Sequence, residues 1–250
     1  MSFLTKISRG PVVAAPRIIV YGPAGVGKSS FAAGAPKPLF IDVDKRTGHL
    51  AVDRVVPGSW SEVLGVMREL HAAPGEYKTL VIDTLDHLQD LVHVEVCAKH
   101  KWANIEEPAF MRGYAVALEE WRQFMAGVDA LRVKGVQVVM LAHAQPRTVQ
   151  NPAGENYDIV GLKLKGSRNA SVSEFLREKV DLIGYAHFED LAKKLAKTDT
   201  KAKALTSGER VLTFAHHPAY ETKQGLPVAD EIPLQWGELD KALTAAGGKP

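Results

Sequence analysis

A single cysteine, Cys97, stands in the 250 residues. No internal disulfide can form, and a reducing cytoplasm suits such a chain. Nowhere does an apolar run approach the roughly 20 residues of a membrane span. The opening Met-Ser-Phe-Leu-Thr-Lys-Ile-Ser lacks the apolar core of a signal peptide, so a cytoplasmic protein with no membrane partner is expected. There is little charge of either sign in excess: 31 Lys+Arg against 29 Asp+Glu leave a formal net charge of +2. Any surface for a polyanion must therefore be local. Internal repeats are absent. At 46% hydrophobic and 24% charged the composition is that of an ordinary globular protein, long enough for a sizeable core.

The most informative stretch is Arg17 to Ser29. Ile18 to Tyr21 reads as a buried strand, followed by Gly-Pro-Ala-Gly-Val-Gly-Lys-Ser. Gly22 to Ser29 fits GxxxxGK[ST], the phosphate-binding P-loop. Glycines 22, 25 and 27 let the backbone curl so that N–H groups converge on phosphate oxygens. In that pattern Lys28 reaches the β/γ-phosphates and the Ser29 hydroxyl is a magnesium ligand. The nucleotide contacts expected are Gly22, Pro23, Ala24, Gly25, Val26, Gly27, Lys28, Ser29 and Ser30, with ATP and Mg2+ as cofactors.

Downstream the pattern alternates. A short helix over 29–34 stops before Pro36 and Pro38. Apolar strands end in Asp42-Val43-Asp44, in Asp83, and in His143, and Arg54 to Val56 reads as a brief strand. Ser59 and Glu62 have capping-box spacing ahead of a helix bearing Val63, Met67 and Leu70. Helices are expected over about 85–100 and 114–134, the second with a core stripe of Trp121, Phe124, Met125, Val128 and Leu131. Residues 101–113 look irregular. Residues 145–170 read as a long loop, with Pro146, Pro152, Gly154, Gly161 and Gly166 as breakers. A short helix over 171–179 precedes strands over 181–188 and 211–215, a hairpin whose tip carries the lysines of 193–203. A terminal helix runs over 236–244. Alternating strands and helices up to residue 144 predict an α/β fold, a mostly parallel twisted sheet with helices on both faces, closed by a C-terminal antiparallel hairpin. One domain, 17–250, follows a lead-in, 1–16, whose Phe3, Leu4 and Ile7 pack on the core or dock on a neighbouring subunit.

Three positions carry further chemistry. Asp83 is placed as the carboxylate that, with Ser29, holds magnesium. Asp44 is the candidate acid for orienting the attacking water. His143 either senses the γ-phosphate or bonds to backbone at its strand end. His93, Cys97 and His100 have metal-like helical spacing, but no fourth ligand accompanies them.

Gly-Pro-Ala-Gly-Val-Gly-Lys-Ser, Leu-Phe-Ile-Asp-Val-Asp, Lys-Thr-Leu-Val-Ile-Asp-Thr and Val-Val-Met-Leu-Ala-His, in this order, resemble the RecA-type ATPase core. Within it the likeness is to short phage-encoded RecA-like ATPases of single-strand annealing and recombination, across about 17–240. RecA carries glutamate at the Asp44 position and glutamine at the His143 position. The resemblance implies that 101–113 and 145–170 face single-stranded DNA, with Arg147, Lys163, Lys165 and Arg168 as contacts. It implies a homo-oligomeric ring or filament with ATP between subunits and a basic residue supplied in trans, for which Lys223 is the candidate. It brings in a single-strand-binding protein as a further partner and, for a phage protein, the bacterial host cytoplasm. Two alternatives stay open. One is a nucleotide-dependent assembly protein with little hydrolysis. The other is a P-loop small-molecule kinase, although no arginine-rich lid is evident.

Overall fold

A computed structural model describes residues 14–150, 154–190 and 206–245. The lead-in apolar residues Phe3, Leu4 and Ile7 and the lysine-rich tip over 193–203 lie outside the described residues. The chain runs β1 (Arg17–Gly22), α1 (Lys28–Ala33), β2 (Pro38–Asp42), β3 (Asp53–Val55), α2 (Trp60–Ala72), β4 (Thr79–Asp83), α3 (Leu85–His100) and α4 (Arg112–Val133). It continues through β5 (Gln137–Val149), β6 (Tyr157–Leu162), β7 (Gly166–Ser167), β8 (Ala170–Ser171) and α5 (Val172–Lys179). It closes with β9 (Leu182–Asp190), β10 (Thr206–Thr213), β11 (Lys223–Gln224), β12 (Glu231–Pro233) and α6 (Trp236–Ala245).

The main sheet has the order β12-β10-β9-β1-β5-β4-β2-β3. The six strands from β9 to β3 pair in parallel, and β10 and β12 add on antiparallel. This is the α/β architecture expected from the strand–helix alternation. Strand β5 lies between β1 and β4, with Gly22 in register with His143 and Asp83 in register with Leu141 and Asp42. All the chemistry-bearing strand ends therefore meet at one edge, where ligands of parallel sheets bind.

Side-chain alternation splits β1 between two apolar layers. Ile19 and Tyr21 join the layer built with α2, α3, α4 and α5, where Trp121, Phe124, Val128 and Leu131 are fully buried. Ile18 and Val20 join the opposite layer with Phe31 of α1 and Trp236 and Leu239 of α6. The cap expected at Ser59 forms, its hydroxyl accepting from Glu62 N–H at 3.3 Å, and Ser171 caps α5 in the same way, accepting from Glu174 N–H at 3.2 Å.

Residues 145–170 are not the loop expected. Strand β5 continues past His143 to Val149 and pairs antiparallel with β6, from Ala144↔Leu162 to Val149↔Tyr157. Short β7 and β8 pair beyond it. Pro146 is tolerated because the ribbon is two-stranded and exposed at that position, where no second neighbour needs an N–H. Gly161 is a packing requirement rather than a break: a Cβ there would stand 2.5 Å from Glu221 Oε2. No helix among the described residues is long and apolar enough to cross a membrane.

Candidate nucleotide-binding site

The loop between β1 and α1 is held from both ends. Gly22 lies so close to β9 that a Cβ would fall 2.2 Å from the Ala186 carbonyl oxygen. Gly25 and Gly27 take φ of 79° and 104°, left-handed conformations that glycine adopts without steric cost. Buried Val26 pins the loop into the α1 layer while Pro23, Ala24, Gly25 and Ser30 remain exposed. Lys28 is only 6% exposed, and its ammonium donates to the Gly22 and Pro23 carbonyls, each at 3.0 Å. Burial pushes its pKa down, and the carboxylates of Asp83, Asp86 and Asp44 oppose that. The Gly22 and Pro23 carbonyls are neutral acceptors, so anionic phosphate oxygens can compete for the same ammonium.

Ser29 Oγ donates to Asp83 Oδ2 at 2.6 Å. A hydroxyl and a carboxylate are thus already side by side, a hard oxygen pair that suits magnesium. Burial raises the pKa of Asp83, with Asp42 and Asp44 pushing the same way and the Ser29 bond opposing. A buried, like-charged carboxylate group of this kind gains from a divalent cation, so the residues present fit magnesium and a polyphosphate. When bound, the ion would supply charge stabilisation at the phosphoryl oxygens.

The two acids at the end of β2 have different tasks. Asp42 accepts from the backbone N–H of Arg46 at 3.2 Å and Thr47 at 3.1 Å, and from Thr47 Oγ1 at 2.5 Å. It closes a turn. Asp44 lies past the strand, tied by its N–H to the Asp83 carbonyl at 3.0 Å. Its carboxylate stands 3.4 Å from both Arg46 Nε and His87 Nε2.

His143 is fixed by Asp86, a residue that the sequence reading passed over. The His143 backbone N–H donates to Asp86 Oδ1 at 3.0 Å, and His143 Nδ1 lies 2.8 Å from Asp86 Oδ2. Burial favours the neutral acid at Asp86, but the bonds from His143 and Thr84 outweigh it and hold the carboxyl well below the usual range. An acid in the first turn of a helix is expected on dipole grounds alone, which is why Asp86 carried no signal. His87 Nδ1 meets Thr84 Oγ1 at 2.8 Å, and its ring stands edge-on to His143 at 6.0 Å. Asp86, His87 and His143 are the one trio of metal-ligand type among the described residues, their ligand atoms within 4.8 Å of one another. His93 and His100 instead pack on Tyr114 and Trp102.

The remaining expected residues lie elsewhere. Lys223 Nζ donates to the Arg177 and Glu178 carbonyls at 2.8 and 3.2 Å, capping α5. Its strand pairs with Leu182 and Ile183, level with Ile18 and Ile19, the end of β1 remote from Gly22. Arg147 sits on β5 with its guanidinium 3.4 Å from Glu221, which Arg177 shares at 3.5 Å. Lys163, Lys165 and Arg168 are exposed beyond β6, alternating with buried Leu162 and Leu164. One further cation does approach the loop: Arg210 Nη1 is 2.8 Å from where a Cβ on Gly27 would stand.

A glycine loop holding a buried lysine, a serine paired with a strand-end aspartate, and a parallel sheet presenting both define a P-loop nucleotide-binding protein. A family model described as an AAA domain matches residues 14–226. The chain belongs to that family, whose P-loop domains go with nucleotide binding and hydrolysis. No curated protein matches the chain.

Proposed function

We propose that this protein is a magnesium-dependent, RecA-like ATPase that assembles on single-stranded DNA in recombination or annealing. The observation that carries the DNA half is strand β5. It runs unbroken from Gln137 to Val149, with His143 at the nucleotide edge and Arg147 four residues on, in the hairpin. The Tyr21 hydroxyl, one residue before Gly22, donates to the Val160 carbonyl in β6 at 3.0 Å, a second tie between loop and hairpin. Exposed Lys163, Lys165 and Arg168 offer charge, which is all that phosphate contacts require. In a ring or filament Lys223, which lies far from its own loop, would have to leave the α5 carbonyls to serve a neighbour's nucleotide. The test is the ATPase rate with and without single-stranded DNA, alongside binding at low salt. Stimulation, and binding that weakens with salt, are expected. No stimulation together with no binding overturns the DNA half.

A second reading is supported by Asp44. This side chain is one methylene shorter than the glutamate of RecA, and its carboxylate already faces Arg46 and His87. An assembly protein with little hydrolysis would bind ATP and oligomerise with near-zero turnover, and Asp44→Asn would leave its kinetics unchanged.

A further inference from the structure

We propose that Arg210 is a nucleotide-binding residue supplied in cis, its guanidinium contacting the polyphosphate from outside the loop as Lys28 does from within. The assignment rests on the nucleotide reading above and adds a ligand group that neither the motif nor the family match identifies.

Three features of β10 direct the side chain there. Arg210 shares a strand face with Leu212, which is fully buried in the layer that also holds Val26 and Phe31. That is the face on which α1 and the phosphate loop lie. Next, the β9–β10 pairing jumps from Thr206↔Asp190 to Arg210↔Phe188, so β10 contributes extra residues just before Arg210. Gly208, within that irregularity, has φ of +76°. Bulges of this kind re-aim side chains beside functional sites. Finally, the guanidinium arrives where an anion is expected. Its Nη1 is 2.8 Å from a Cβ built on Gly27, and its central carbon is 5.9 Å from the Phe188 ring centroid. Arg210 is exposed and forms no ion pair among the described residues.

A guanidinium over an aromatic ring, with no ion pair among the described residues, is suited to bidentate contact with phosphate oxygens. Lys28 is a point charge held by loop carbonyls, whereas Arg210 presents a planar donor set across Gly27. Any side chain at position 27 would meet that fork, in addition to the strain of its backbone conformation.

The test is calorimetric titration of the full chain with ATP, ADP and adenosine in the presence of magnesium. Arg210→Ala is expected to weaken ATP and ADP binding roughly tenfold, the scale of one charge-assisted contact, with adenosine unaffected. Arg210→Lys should recover part of the loss, and an unchanged thermal midpoint in both variants accords with the exposure of the residue. An ATP affinity within about twofold of wild type overturns the assignment, because one charge-assisted contact is worth more than that. Equal losses for adenosine and ATP also overturn it, placing the contact on the nucleoside. Mixing Arg210→Ala with Lys28→Ala subunits checks the cis placement. No recovery of binding supports it, and recovery moves Arg210 to a neighbour's site. A wild-type chain that binds no ATP refutes the nucleotide reading itself, and this assignment with it.

Discussion

Replacing Asp86 by Asn changes one atom and sets the pair it forms with His143 against a near-isostere. The carboxylate gives both oxygens to His143, one to the backbone N–H at 3.0 Å and one to Nδ1 at 2.8 Å. The amide keeps the first bond through its oxygen but faces Nδ1 with an NH2 group. Nδ1 must then accept, which moves the ring proton to Nε2. A hydrogen bond to a charged group is worth about 1.5–3 kcal/mol and a neutral one about 1, so the variant should lose about 1.5 kcal/mol at neutral pH. The pH dependence has a definite sign. The folded-state pKa of Asp86 is depressed, so its contribution is complete above the unfolded value and is lost as the pH falls toward the folded one. The gap between wild type and Asp86→Asn should therefore narrow below about pH 4, the range of an ordinary aspartate. Urea unfolding followed by tryptophan fluorescence reads the gap, and side-chain nitrogen shifts of His143 read the tautomer. A gap below about 0.5 kcal/mol, a gap unchanged on acidification, or an unaltered tautomer would show that Asp86 does not hold His143 in this way.

Other expectations follow from the same geometry. Gly22→Ala drives a methyl into the Ala186 carbonyl and should cost about 3 kcal/mol, seen as a lowered urea midpoint; a stable variant with normal ATP binding would show that β1 and β9 can part freely. Glu221→Gln removes a carboxylate that accepts from Ser173 Oγ at 3.2 Å and Leu162 N–H at 3.3 Å and faces two arginines. It should cost about 2 kcal/mol and speed proteolysis of the hairpin, with no change in either measure as the contrary result. Because burial raises the Asp83 pKa, protons should compete with magnesium at higher pH than for an ordinary aspartate. On acidification ATP affinity in magnesium should begin to fall above the range of an ordinary aspartate, about pH 4, by more in wild type than in Asp83→Asn; the same pH profile in both speaks against Asp83 as a ligand.

What the sequence discloses depends on how local the cause is. The loop from Gly22 to Ser29 is legible because strand, glycines and lysine act within a few residues. Asp83 and His143 are legible as the polar ends of apolar runs. The partition between Asp42 and Asp44 is not, because it turns on which carboxylate the Arg46 and Thr47 amides capture. Asp86 is hidden because its partner is 57 residues away and its helix position explains it without one. The β5–β6 hairpin is hidden because Pro146 and Gly161 look like breakers. Only the fold reveals that one sits in an exposed ribbon and the other against Glu221. Arg210 is set by a strand irregularity with no sequence signature beyond Gly208.

The nucleotide reading requires Gly22 to Ser29 and Asp83 to form a working magnesium–nucleotide site. ATP turnover by the purified chain, with magnesium and with a chelator, beside Lys28→Ala, tests it most directly. Phosphate release that needs magnesium and is lost in Lys28→Ala is predicted. Release that survives either change would contradict the account.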